Sequence, residues 1–196
     1  MGKIDAKEFP SFELMVETES IEALSSLASA SCKITQGEFQ QMQIANKPET
    51  SQEDYFEVIG KKTAELFGAS CKSGVIVAGG NIKQQNAAYD YGFNLGLAFQ
   101  IIDDLMDFNN LPNKMGKNLG DDFKLGKTTL PVILAWQKSN PKEKKFWIKI
   151  LHLSMGTHCA SAWSPSVTAI TATIPLGHCL ERCSDRYICG APTTAQ

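Results

Sequence analysis

The sequence predicts an all-α fold, and three observations lead there. Apolar residues recur at steps of three and four from Phe12 to Leu151, the spacing that lines one face of a helix at 3.6 residues per turn. Before residue 151 no stretch shows the apolar-polar alternation of a half-buried strand. Capping signals stand ahead of periodic segments at Thr35-Gln36-Gly37-Glu38, Ser51-Gln52-Glu53-Asp54 and Asn140-Pro141-Lys142-Glu143.

Residues 1–10 are polar, end in Pro10 and read as a frayed start. From Phe12 to Cys32, the residues Phe12, Met15, Val16, Ile21, Leu24, Leu27 and Ala28 form the inner face of an amphipathic helix. The capping box at Thr35 opens a second helix, with Glu38 as its cap, and Lys47-Pro48 marks the exit. A third runs from Ser51 towards Cys71, its middle interrupted by Lys61, Lys62 and Thr63. Gly74 to Gly80 is a short apolar run that its helical surroundings make a buried helical segment.

Gln84 to Phe108 is the longest patterned segment. Ala88, Leu95, Ala98, Ile101, Ile102 and Leu105 are expected to face inward, with Gly92 and Gly96 permitting close helix approach. A loop with lysines at 114, 117, 124 and 127 follows, then a helix opened by Thr129-Leu130-Pro131, with proline tolerated in the first turn. The last helix follows Asn140 and has Phe146, Trp147, Ile150 and Leu151 as its apolar side.

Composition bounds the function. At 43% hydrophobic and 20% charged, the 196 residues are an ordinary globular chain, read as one helical domain over 1–151 with a tail over 152–196. The tail is rich in Ser, Thr, Ala, Gly, Pro and Cys without helical period and is expected to be poorly ordered. All 17 lysines lie at or before Lys149, whereas the two arginines, Arg182 and Arg186, and all three histidines lie beyond it. A net charge of -2 offers nothing to nucleic acid, no run is long enough to span a membrane, and the N-terminus lacks a signal-peptide core. The expected location is therefore cytoplasmic. Cys32 and Cys71 read as small core residues. In the tail, His158, Cys159, His178, Cys179, Cys183 and Cys189 match no C-x-x-C zinc knuckle.

The chemistry concentrates in Phe99-Gln100-Ile101-Ile102-Asp103-Asp104-Leu105-Met106-Asp107. Asp103, Asp104 and Asp107 share one helix face, with Gln100 one turn earlier. They fall at a helix C-terminus, where the dipole disfavours negative charge, so a cation must compensate. Oxygen-only ligands suit Mg²⁺, which usually bridges carboxylates to a substrate phosphate rather than sitting in an all-protein cage. Lys62, Lys117 and Lys127 are candidates for the phosphate side; the plain alternative is an exposed acidic helix end beside an exposed basic loop. Gly120 to Thr128 fails the P-loop spacing, because Gly126 is one residue late, and the aspartates around Gly120 lack the alternation of an EF-hand.

Gly96 to Asp107 resembles the second aspartate-rich motif of the trans-polyprenyl diphosphate synthases. The resemblance continues through Gly116-Lys117-Asn118-Leu119-Gly120-Asp121-Asp122 and Gly126-Lys127-Thr128-Thr129-Leu130-Pro131 in the family's order. Lys62-Thr63-Ala64-Glu65-Leu66-Phe67 is similar to its lysine-threonine helix, and Gly37-Glu38 with Gln41 to its Gly-Glu-x-x-Gln segment. Together these cover roughly residues 11–148, with octaprenyl-type synthases the nearest in flavour. The resemblance implies a partial helical bundle of the isoprenoid synthase type and sequential condensation of isopentenyl diphosphate onto an allylic diphosphate. It implies that Asp103, Asp104 and Asp107 hold Mg²⁺, and that Lys62, Thr63, Gln100, Lys117 and Lys127 contact diphosphate oxygens. Asp122 either orients Lys117 or caps the loop.

The family's earlier aspartate-rich motif and its arginines have no counterpart in these 196 residues, which hold no arginine before Arg182. The expectation is an N-terminally truncated synthase with impaired or no activity alone, continuing past Leu151 into an unrelated extension or a changed reading frame. The alternatives are a non-catalytic subunit that binds a complete synthase through its apolar helices, in a homo- or hetero-oligomer, and a degenerate fragment.

Overall fold

Seven α-helices and one π-helical turn account for the structure, a computed structural model that describes residues 10–108, 122 and 125–154, with side chains over 14–108, 122 and 125–149. They are α1 (Pro10–Glu17), α2 (Ile21–Ile44), α3 (Gln52–Ile59), the π turn (Gly60–Ala64), α4 (Glu65–Val77), α5 (Ile82–Met106), α6 (Leu130–Lys138) and α7 (Pro141–Ser154). No strand occurs among the described residues, as the sequence predicts. Lys117 and the tail from residue 155 onward lie outside them.

Two capping signals work as read. Ser51 and Asp54 close a reciprocal box at the start of α3, the Asp54 N–H donating to Ser51 Oγ at 3.0 Å and the Ser51 N–H to Asp54 Oδ2 at 3.4 Å. Asn140 and Glu143 do the same for α7, and Pro131 sits in the first turn of α6. The third does not. Thr35 lies inside α2, where its hydroxyl donates to the Ser31 carbonyl at 3.1 Å, so Glu38 caps nothing. The break falls earlier, at residues 18–20, where Glu19 takes a φ of 52° and Ser20 Oγ accepts the Ala23 N–H.

The chain divides into two compact units. Residues 1–38 and 59–97 form the first, held by small residues where helices touch. A Cβ on Gly92 would stand 2.4 Å from the Phe67 carbonyl oxygen, and one on Gly96 2.6 Å from the Ala64 Cα, so the close helix approach expected at these glycines is present, to α4 at the first and to the π turn at the second. Ala23, Ala30, Ile59, Ala64 and Ala69 are buried there. A part-buried polar knot centred on Glu65 adds to them: Glu65 accepts from Lys33 Nζ at 2.8 Å and from the Tyr89 hydroxyl at 2.8 Å. Burial, then the bond to Glu65 and its charge, push the Tyr89 pKa well above the usual phenol value.

The second unit, residues 39–58 and 98–196, buries Tyr55, Val58, Ile101, Leu130, Val132, Ile133, Ala135 and Trp147. The indole N–H of Trp147 donates to Ser139 Oγ at 3.0 Å. The segment leading into α6 is pinned to the end of α2: the Asn46 N–H donates to the Gly126 carbonyl at 2.8 Å, and the Thr128 hydroxyl to the Ile44 carbonyl at 3.0 Å. Gly126 has a φ of 72° and leaves no room for a Cβ against Asn46, so glycine is required there on both counts.

Several expected core positions are not core. Leu95 and Ile102 are 46% and 44% exposed, and Ala98 is exposed, whereas Leu97 and Ile101 are buried. The inner face of α5 is thus turned from the one read off the sequence, because Gly92, Gly96 and Leu97 set the packing register. Cys32 is exposed and Cys71 half-buried, so neither is a core residue. The Gly74 to Gly80 run is helical as far as Val77, but Val77 is 53% exposed.

Candidate metal centre

The acidic end of α5 is built by the helix and by the chain that returns to it. Asp103 and Asp104 occupy the last turn of α5, and Asp107 stands just past its end. Here the structure departs from the three acids taken together in the sequence. The carboxylate oxygens within 4.8 Å of one another belong to Asp103, Asp104 and Asp122. Asp107 is buried and holds Asp122 in place, accepting its backbone N–H at 3.2 Å. Its place in the turn that directly follows α5 gives Asp107 this role.

Asp104 is the most constrained of the cluster. Its two oxygens are oriented separately: Tyr55 donates its hydroxyl to Oδ2 at 2.6 Å, and Gln100 donates Nε2 to Oδ1 at 2.9 Å. At 5% exposure, burial pushes its pKa up to about 6. The two hydrogen bonds oppose that rise, and the charges of Asp122 and Asp103 add to it. An acid held partly protonated among other acids gains a counter-charge when a cation arrives. The donor set is all carboxylate oxygen, which fits a hard divalent ion such as Mg²⁺.

Lys127 joins this cluster, its ammonium donating to Asp122 Oδ1 at 2.5 Å and its N–H to the Asp122 carbonyl at 3.0 Å. Asp122 therefore orients Lys127, and its relation to Lys117 lies outside the described residues. Gln100, Asp103, Asp104, Asp107 and Lys127 all belong to the second unit; Lys62 and Thr63 belong to the first, in the π turn. A single π turn inserted in α-helix marks functional sites often enough to be noted. The interruption read at Lys61-Lys62-Thr63 is this turn. Lys62 pairs there with Glu38, at 3.1 Å to Oε2 and 3.0 Å to Oε1.

Tyr55 is a site residue that sequence reasoning does not single out, because its hydroxyl partner lies 49 residues away. A buried tyrosine needs a hydrogen-bond partner, and that was the available signal.

Comparison with known proteins gives one consistent result. The family model described as Polyprenyl synthetase matches residues 5–162. The octaprenyl diphosphate synthase of Haemophilus influenzae is 42% identical over 132 residues, covering 67% of this chain and 40% of that protein. That of Escherichia coli is 36% identical over 147 residues, covering 75% and 46%. Among solved structures, a polyprenyl synthase from Caulobacter crescentus CB15 complexed with calcium and isoprenyl diphosphate superposes with a TM-score of 0.80 at 40% identity, covering 89% of this chain and 52% of that one. The chain thus spans about half the length of the relatives it matches.

Proposed function

The chain belongs to the polyprenyl synthetase family, and from that premise we propose that it supplies the metal-holding and diphosphate-holding wall of a trans-prenyltransferase. The reaction joins isopentenyl diphosphate to an allylic diphosphate. The allylic C–O bond breaks and its electron pair leaves with the diphosphate. The isopentenyl double bond attacks the resulting carbocation, and a proton is lost to restore the alkene.

The observation that carries this reading is the cluster of Asp103, Asp104 and Asp122, with Lys127 beside it. Asp103 and Asp104, with Asp122 from the returning chain or Asp107 behind it, are the residues to hold Mg²⁺. When bound, the ion neutralises charge that gathers on the leaving diphosphate. Tyr55 and Gln100 keep the Asp104 oxygens aimed, so no side-chain freedom is lost when the site fills. Lys127 exchanges Asp122 for a diphosphate oxygen. Lys62, Thr63, Gln100 and Lys117 are assigned to the same ligand by the motifs they match.

No second aspartate-rich motif exists in these 196 residues. We therefore assign the isolated polypeptide Mg²⁺-dependent diphosphate binding with little or no turnover. Calorimetric titration with geranyl diphosphate, with and without Mg²⁺, tests the binding; radiolabelled isopentenyl incorporation tests the turnover. Binding that needs no metal, or that survives Asp103→Asn with Asp104→Asn, refutes the site. Robust incorporation abolished by Asp103→Ala refutes the incompleteness.

Phe99, Ile102 and Met106, 55%, 44% and 43% exposed, favour a second reading. They share one face of α5 at helical spacing, and such a face suits a subunit that pairs with a complete synthase. Co-purification with a full-length synthase separates the two.

No helix among the described residues is long and apolar enough to cross a membrane.

A further inference from the structure

Glu38 raises a question that the reaction does not answer. It is a carboxylate on α2 that grips an ammonium assigned to the diphosphate, and a carboxylate beside an incoming anion is repulsive. Its placement is nevertheless enforced. Gly37, its neighbour, packs backbone to backbone on the π turn: a Cβ there would stand 2.5 Å from the Lys62 nitrogen and 2.9 Å from the Lys62 Cα. Any larger residue at 37 would lift α2 off the turn and carry Glu38 away from Lys62. The contact spans the first unit alone, between α2 and the one stretch of π-helix in the described chain.

Fastening the two elements does not require Glu38. The Lys33–Glu65 pair already ties α2 to the first residue of α4, directly after the π turn, and Glu65 is 11% exposed and additionally held by Tyr89. The Glu38 side chain is 46% exposed, and a pair so open to water contributes little to stability. Its effect falls on Lys62. Both carboxylate oxygens lie within about 3 Å of one ammonium that is itself 23% exposed. That is a strong restraint on where the ammonium points and a weak one to displace, because a diphosphate brings more charge than a single carboxylate.

We infer that Glu38 is a latch on Lys62: it holds the ammonium while the diphosphate site is empty and gives it up to the arriving diphosphate, so that it sets affinity rather than fold. The inference rests on the assignment of Lys62 to the diphosphate. Glu38 is then a positioning residue, acting through Lys62 without touching the reacting atoms.

The test is a double-mutant cycle on the 196-residue polypeptide, with inorganic pyrophosphate and Mg²⁺ as the probe and calorimetry as the readout. Glu38→Gln keeps the shape and removes the charge; it is expected to tighten pyrophosphate binding about threefold to fivefold, the amount a half-exposed ion pair withholds. Lys62→Ala is expected to weaken binding, and Glu38→Gln added to it to change nothing further. The melting temperature of Glu38→Gln is expected to stay within about 2 °C of the parent. Tightening that persists in the Lys62→Ala background is plain repulsion and overturns the latch, as does a Glu38→Gln variant that binds no better than the parent. Pyrophosphate binding indifferent to Lys62→Ala, or absent from the parent, instead overturns the assignment of Lys62 and takes the latch with it.

Discussion

Asp104→Asn isolates what the buried carboxylate costs the fold. Asp104 is 5% exposed with its pKa raised from 3.8 to about 6, so the folded state holds its proton more tightly than the unfolded chain does. The unfolded chain releases that proton first as pH rises. Stability from this group is therefore full below about 4 and is lost as pH climbs through 6, about 3 kcal/mol by pH 7.5. Asparagine has the same shape and no charge to bury, and its amide oxygen still accepts from Tyr55 or Gln100. In EDTA at pH 7.5 the variant should be more stable than the parent by up to about 3 kcal/mol, a rise of roughly 6–12 °C in melting temperature for a chain of this size. At pH 5 the gap should shrink to about half. Adding Mg²⁺ should stabilise the parent and not the variant, because the ion favours the ionised form that asparagine lacks. Circular dichroism melts at the two pH values, with EDTA and with Mg²⁺, measure all of this. A variant less stable than the parent at pH 7.5 in EDTA, or a gap independent of pH, would refute the account of Asp104.

Three further outcomes follow from the same geometry. Mg²⁺ affinity measured by calorimetry should fall about tenfold between pH 7.5 and pH 5, since protons compete for Asp104 below 6; a flat profile argues that the ion does not use it. Gly92→Ala should cost about 1–3 kcal/mol in a urea melt, because its Cβ would meet the Phe67 carbonyl oxygen at 2.4 Å and the Cys71 sulfur at 2.8 Å. Tyr89→Phe should cost about 1.5–3 kcal/mol by the same method, since it deprives Glu65 of a hydroxyl donor in a partly buried site.

The helices were legible because each carries its own local signal. Ser51 and Asp54 box the start of α3 with residues three apart, Asn140 and Glu143 do so for α7, and such information sits entirely within one turn. The box at Thr35 has the same letters and fails, because α2 continues through it. A capping box competes with helix continuation, and here the contact of Gly37 with the π turn holds the segment helical. The rotation of α5 was illegible for a related reason. Leu95 and Leu97 are equally apolar, and what buries the second is its place beside the glycines that α4 approaches, a fact of packing rather than of pattern.

The site shows the limit more sharply. Helical spacing puts Asp103, Asp104 and Asp107 on one face, and spacing is all a sequence offers within an element. The cluster in the structure exchanges Asp107 for Asp122, whose carboxylate arrives on the returning chain and is set by a backbone bond to Asp107 itself. The sequence brings forward two acids of this cluster, Asp103 and Asp104, and offers no spacing by which Asp122 could be joined to them. By its bond to the Asp122 N–H, Asp107 is placed to position Asp122. Two substitutions separate the roles: Asp107→Asn retains an oxygen for the Asp122 N–H, while Asp107→Ala leaves that part-buried donor without this acceptor. Weakened Mg²⁺ binding in Asp107→Ala that recovers in Asp107→Asn is the expected pattern for a residue that positions Asp122. Equal loss in both would return Asp107 to the role of ligand.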